Sequence, residues 1–143
     1  MRKTIFFTFL VGLILFSCEK PENETQISKN GQSRSHYTGR NCVTCHYTEG
    51  SGEGWFTVAG SIGGNYHDGK VVLYPNGFEN PPIKEIEIDD LGNIFTTEDV
   101  DFSVGMNVAI VNSNGDSLKM PQELHVGQCN LCHGKTQNLL EMY

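Results

Sequence analysis

Basic residues are scarce in this chain of 143 residues, which has 10 lysines and arginines against 17 aspartates and glutamates and a net charge of −7. Nucleic-acid binding relies on a basic face that neutralises phosphates, so this balance argues against nucleic acid as a partner. The sequence also lacks an apolar run of the roughly 20 residues that a membrane-spanning helix needs. Hydrophobic residues make up 38% and glycines number 16, which favours a mainly β, turn-rich fold over a helical bundle.

The main apolar run is short and lies at the N-terminus. It covers residues 4–17, follows Arg2 and Lys3, and ends directly before Cys18. A basic start followed by such a run predicts a signal peptide over residues 1–17. The end of the run, LFSC, resembles the signal of bacterial lipoproteins, which implies that Cys18 is lipidated and anchors the chain to a membrane of the cell envelope. An ordinary signal peptide followed by a chance cysteine is the alternative.

The part that follows the signal peptide begins with a polar stretch. Residues 19–35 contain one aliphatic residue, and Glu, Lys, Asn, Gln and Ser dominate the rest. This composition is typical of a flexible linker, so we predict a lipid-anchored tether over 18–35. Without residues 1–17 the chain keeps 8 basic and 17 acidic residues, a net charge of −9.

Four of the five cysteines occur in two motifs of the form Cys-x-x-Cys-His, at Cys42–His46 and Cys129–His133. This is the attachment sequence of c-type haem, in which two thiols add to the vinyl groups and the histidine becomes the proximal iron ligand. The pattern predicts two covalently bound haem c groups. The residues that would hold them are Cys42, Cys45, Cys129 and Cys132 as thioether links, with His46 and His133 as proximal ligands.

Other uses of paired cysteines are a Cys₄ zinc site or two small disulfides. Neither requires a histidine after each pair. Four-cysteine zinc sites are also typical of reducing compartments, whereas this chain is predicted to be exported. One haem with one decoy motif is a further alternative.

The two motifs resemble those of small c-type cytochromes and multihaem lipoproteins, in which histidines upstream of a motif supply the sixth iron ligand. His36 lies shortly before the first motif and His125 shortly before the second. The resemblance implies that both are distal ligands, each for its own haem or for the other one; solvated loop histidines are the alternative. Met120 is a weaker candidate, and the setting of His67, GNYHDG, predicts a turn residue.

Between the motifs the sequence predicts strands and tight turns. Residues 84–89 alternate between isoleucine and acidic residues, which indicates one buried face, and 112–116 is a hairpin turn signal. Strands at this spacing fit a small antiparallel β-sandwich over 54–121, flanked by haem-binding segments at 36–53 and 122–143. An even strand count would bring both motifs to one end of the sandwich. The six predicted strands are 55–62, 70–74, 84–89, 94–97, 105–111 and 117–120.

The run from Ile88 to Phe95, IDDLGNIF, resembles the transthyretin-like, carboxypeptidase-regulatory family of sandwiches. In that family an acidic turn with glycine precedes an aromatic strand residue. The resemblance implies a fold and says nothing of activity. The stretch between the motifs contains no pairing of a nucleophile with a base.

These patterns together predict a membrane-anchored dihaem c-type cytochrome that carries electrons between cell-envelope redox partners. We expect no enzyme activity, because two axial ligands on each iron leave no open coordination position. The alternatives are a haem enzyme of the peroxidase or reductase type with one open iron site, and a haem-containing sensor or binding module.

Overall fold

Short β-strands carry most of the regular structure of the computed structural model, which describes residues 22–63 and 68–133 and the backbone of 140–141. The predicted signal peptide, Cys18 and His67 lie outside the described residues. Within the described part, no helix is long and apolar enough to cross a membrane. The strands are β1 (Val58–Gly63), β2 (Lys70–Pro75), β3 (Lys84–Glu87), β4 (Asn93–Thr96), β5 (Met106–Val111), β6 (Ser117–Lys119), β7 (Gly127–Gln128) and β8 (Leu140–Glu141).

The strands form two sheets. The first has the order β4–β1–β7, with β8 also paired to β1, and the second has the order β3–β2–β5–β6. Every pairing in the second sheet is antiparallel, as is the pairing of β1 with β4. The predicted mainly β sandwich is therefore confirmed, and β1 to β6 correspond to the six predicted strands. The short strands β7 and β8 were not predicted. They belong to the predicted second haem-binding segment, and both pair with β1 in parallel.

The hydrophobic core lies between the sheets and follows the period of two that a strand imposes. Ile86 and Ile88 are buried, as the alternation predicted. Glu85, which precedes Ile86, and Glu87, which lies between the two isoleucines, are exposed. Met106 is also buried in this core. The buried core residues are Val58, Ile62 and Ile94 on the side of the first sheet, and Val71, Leu73, Ile86, Ile88, Met106, Val108 and Ile110 on the side of the second.

The predicted flexible tether over 18–35 is wrong for the residues that follow 22, because these residues form hydrogen bonds with the sandwich. Ile27 forms an antiparallel bridge with Thr96 at the edge of β4. The buried Ser28 donates its N–H to the Phe95 carbonyl at 2.9 Å and its hydroxyl to the Glu87 carbonyl at 2.6 Å. These contacts use backbone and hydroxyl groups, which explains why a stretch with almost no aliphatic residues was not predicted to pack.

The turn between β3 and β4 is held by the buried carboxylate of Asp89. Its Oδ1 accepts the N–H of Leu91 at 3.0 Å and that of Asn93 at 2.9 Å. The Asp89 carbonyl also accepts the N–H of Gly92 at 2.9 Å, which closes the turn predicted from the sequence. One side chain therefore satisfies two backbone donors of the turn, and that of Asn93 is buried.

Replacing Asp89 by alanine is expected to lower the free energy of unfolding by about 1–3 kcal/mol, because two N–H groups lose their acceptor. Urea unfolding followed by circular dichroism measures the change. The control variant Asp89→Asn keeps an oxygen at the same position and should lose clearly less. Equal losses for the two variants would contradict the role given to the carboxylate oxygen.

Candidate haem-binding sites

Both Cys-x-x-Cys-His motifs have the same backbone conformation. Each begins with a 3-10 turn, at Cys42–Thr44 in the first motif and at Cys129–Leu131 in the second. The N–H of His46 and that of His133 each donate at 3.1 Å to the carbonyl of the first cysteine of their motif. The N–H of the second cysteine donates to the same carbonyl, at 3.2 and 3.3 Å respectively. This turn gathers two cysteines and a histidine around one carbonyl group in each motif.

The two motifs are neighbours. The side chain of Asn41, directly before the first motif, donates to Oε1 of Gln128, directly before the second, at 3.3 Å. Gln128 belongs to β7, which pairs with β1. Cys129 then packs on β1 at Gly60, where an added Cβ would lie 2.6 Å from the Cβ of Cys129. Only glycine at position 60 allows this close approach.

His46 is buried, at 8% exposure, and its Nδ1 faces two backbone carbonyls. Nδ1 lies 3.0 Å from the carbonyl oxygen of Glu53 and 3.3 Å from that of Gly54. Carbonyl oxygens only accept hydrogen bonds, so Nδ1 is the donor here, and in the neutral ring Nε2 then keeps its lone pair. Metal-bound histidines use this arrangement, with one ring nitrogen on the metal and the other donating to a nearby carbonyl.

Phe56 and Gly52 set the plane of the His46 ring. Phe56 stacks on His46 with 4.2 Å between ring centroids and an angle of 9°, and it also stacks on Phe95 of β4 at 5.0 Å. An added Cβ on Gly52 would lie 2.7 Å from Nδ1 of His46, so a larger residue would displace the ring. Neither role could be predicted from the sequence, because neither residue belongs to a motif or to a periodic pattern.

His36 lies beside its own motif. It is exposed, and its ring centroid is 5.7 Å from that of His46. The segment around it is held by the buried Asn93 of β4, which donates to the Ser35 hydroxyl at 2.7 Å and accepts from the Ser61 hydroxyl at 2.5 Å. Asn93 and Ser61 are thus positioning residues that were not identified from the sequence.

An apolar cavity of about 290 Å³ opens beside the second motif. The motif contributes both of its cysteines and His133 to the lining, and the two sheets contribute aliphatic side chains. Contiguous exposed apolar side chains usually mark a surface that a ligand or partner covers, and a haem macrocycle is a largely apolar ligand of this kind. Three large apolar side chains that line the cavity are exposed, namely Leu118 (47%), Val126 (49%) and Leu131 (41%).

Two of the sequence candidates for a sixth iron ligand, Met120 and His125, precede the second motif and lie in different places. Met120 is partly buried against the core and lines the cavity. His125 is exposed, and its Cε1 lies near the backbone of Gly105, 3.4 Å from where a Cβ there would be. The structure therefore brings Met120, and not His125, to the same cavity as His133.

The part of the chain that the structure describes contains no group of three or more His, Cys, Asp and Glu side chains arranged to hold a metal ion. A Cys₄ zinc site needs four thiolates around one point, and the motif cysteines are not arranged in that way. A haem iron takes only axial ligands from the protein. The histidine of each motif can supply such an axial ligand, so the residues at both motifs fit a haem.

Burial changes the chemistry of the first cysteine in each motif. It raises the pKa of the Cys129 thiol to about 11, with a smaller contribution from the nearby Cys42. Burial also raises the pKa of the Cys42 thiol. Cys45, in contrast, is exposed. In the haem-free chain at neutral pH, the thiol packed on Gly60 is therefore protonated and a poor nucleophile.

No protein-family model, no curated protein and no solved structure matches this chain. The resemblances to c-type cytochromes and to transthyretin-like sandwiches thus stay predictions from the motif residues. The fold is a sandwich of two sheets in the orders β4–β1–β7 and β3–β2–β5–β6, with parallel pairs on β1.

The raised pKa predicts slow alkylation of Cys129 in reduced, haem-free protein. With iodoacetamide at pH 8 we expect Cys129 to react at least about tenfold more slowly than Cys45, because the thiolate is the reactive form. Its rate should continue to rise well above pH 9. Peptide mass spectrometry of timed samples measures both rates, and chain unfolded in urea is the control in which they converge. Equal rates in the folded chain would contradict the burial of Cys129.

Proposed function

We propose that this protein is a dihaem c-type cytochrome that carries electrons between redox partners of the bacterial cell envelope. Two covalently attached haem c groups would be held by Cys42 and Cys45 and by Cys129 and Cys132. His46 and His133 would be the proximal iron ligands. Haem c supplies a reversible one-electron carrier when bound.

The observation that carries this proposal is the pair of adjacent motifs with matching geometry. Both repeat the same 3-10 turn and the same histidine hydrogen bond. The hydrogen bond from Asn41 to Gln128 links them at 3.3 Å. Electron transfer between two carriers becomes much slower with distance, so neighbouring attachment sites suit a protein that passes electrons on.

The protein itself would hold the iron ligands in position and surround the haems. Carbonyl acceptors hold the His46 ring in the tautomer that leaves Nε2 for iron. Asn93 fixes the segment that carries His36, so that a second imidazole is available at the first site. At the second site the apolar cavity would exclude water from one face of the macrocycle. Both axial positions would then be filled at the first site, which favours electron transfer over catalysis.

Anchoring would depend on Cys18, and the choice of partner would depend on the acidic charge of the chain. Lipidation of Cys18 would tie the protein to an envelope membrane, on the periplasmic face or at the cell surface. The surface beside the first motif is acidic, because Glu22, Glu24, Glu49 and Glu53 line a cavity of about 340 Å³ there. Such a surface would steer a basic redox partner, so association should slow as salt is added.

Covalent attachment predicts the mass of the denatured holo-protein. The mature chain should carry the mass of two haem groups, and the double variant Cys42→Ser with Cys45→Ser should carry one. The matched double variant at Cys129 and Cys132 should carry the other one. Wild-type protein with a single addition, or haem that is extracted by acidified organic solvent, would contradict the proposal.

Axial ligation at the first site predicts the spin state. Ferric wild-type protein should be low-spin, and His36→Ala should turn one of the two haems high-spin, as measured by absorption and electron paramagnetic resonance. The control His67→Ala removes a histidine that the sequence predicts to be a turn residue, and it should leave the spectrum unchanged. A high-spin component in the wild type together with rapid cyanide binding would favour the haem-enzyme alternative.

A further inference from the structure

The cavity beside the second motif penetrates the sandwich. Val71, Val108 and Ile110, which belong to the core, are part of its lining together with Cys129 and His133 of the motif. A group attached to the motif cysteines would therefore have one side against the interior of the protein. This apolar lining favours an uncharged side chain as the ligand that would reach the iron here.

Met120 lies at the wall of the cavity, on the side of the second sheet. It follows β6 directly, and its N–H donates to the carbonyl of Val108 on β5 at 2.8 Å, which fixes its backbone. Its side chain is partly buried against the core and lines the cavity together with His133. The position of Met120 is thus set by the sheet and not by a mobile loop.

His125 lies outside the cavity although it is closer to the motif in the chain. Its neighbours Leu124 and Val126 both line the cavity, whereas His125 is exposed. Leu124 is fixed by two hydrogen bonds of 2.8 Å with Met106, one from each N–H to the other carbonyl. Because successive side chains of an extended chain point to opposite sides, this bridge directs the side chain of His125 away.

We propose that Met120, and not His125, is the sixth ligand of the haem at the second motif; this rests on the proposed function. The thioether of methionine is uncharged and has no hydrogen to donate, so it enters an apolar lining at little cost. An imidazole in the same place would leave its second ring nitrogen in need of a partner. The chain thus builds two different sites, with His36 and His46 at the first and Met120 and His133 at the second.

The ligand set has a consequence for reduction potential. A histidine–methionine pair holds haem at a higher potential than a histidine pair, and an apolar surrounding raises the potential further because it disfavours the extra positive charge of ferric iron. The two haems should therefore titrate as two separate one-electron steps. The upper step belongs to the second motif.

The test uses the intact holo-protein with both haems. Ferric wild type should show the methionine-to-iron charge-transfer band at the red end of the spectrum. Met120→Leu keeps the apolar volume but removes the sulfur, so the band should disappear and one haem should become high-spin. The matched control His125→Ala should keep the band and the low-spin spectrum.

A second variant keeps the test decisive if Met120→Leu fails to fold. Met120→His should restore a low-spin spectrum without the band, and in a redox titration it should move the upper step toward the lower one. A wild-type protein without the band, or loss of one low-spin haem in His125→Ala, would overturn the assignment of Met120. Haem counts in the same samples separate this result from failure of the proposed function, which would appear as fewer than two covalent haems.

Discussion

The contact between Cys129 and Gly60 is the constraint on which the closeness of the two candidate sites depends. β1 lies within the first sheet, and the second motif approaches it at the one position where a Cβ would lie only 2.6 Å from the Cβ of Cys129. β7 pairs with β1 just before that contact, and the hydrogen bond from Asn41 to Gln128 then adds the first motif. A side chain at position 60 would separate the second motif from the sheet and thereby from the first motif.

The structure gives the two motifs different surroundings. The first lies in a polar loop region, where His46 stacks on Phe56 and carboxylates line the neighbouring cavity. The second faces an apolar cavity that extends into the core. Negative charges stabilise ferric iron, which is the more positive form, and apolar surroundings destabilise it. Ligands and surroundings together would therefore lower the reduction potential of the first haem and raise that of the second. The difference in potential between the two sites would then be built into the fold.

Local signals in the sequence predicted the strands of the sandwich well. The alternation of Ile86 and Ile88 with glutamates marks a half-buried strand within a few residues. The haem chemistry that Cys-x-x-Cys-His indicates is read from the motif alone and stays a prediction. The contact of Ser28 with Phe95 joins residues far apart in the chain through hydrogen bonds, and such contacts leave no periodic pattern. The predicted tether was wrong for the residues that follow 22 for this reason.

The candidate ligands also show the difference between local signals in the sequence and contacts made only in the tertiary structure. Closeness in the sequence favoured His125, since it lies four residues before Cys129. The cavity, however, is assembled from both sheets, and only the tertiary structure indicates that Met120 lines it and His125 does not. The roles of Gly52 and Gly60 were also invisible, because a glycine required for close approach resembles a glycine in a turn until its neighbour is known.

The proposed function requires two haems that are attached next to each other, at the neighbouring motifs beside β1. The most direct measurement is electron paramagnetic resonance of the fully oxidised holo-protein, compared with the two single-haem variants that lack the cysteines of one motif. If the sites are neighbours, the two ferric irons interact magnetically, and the wild-type spectrum differs from the sum of the two variant spectra. A wild-type spectrum equal to that sum, or one that contains a single haem signal, would contradict the account.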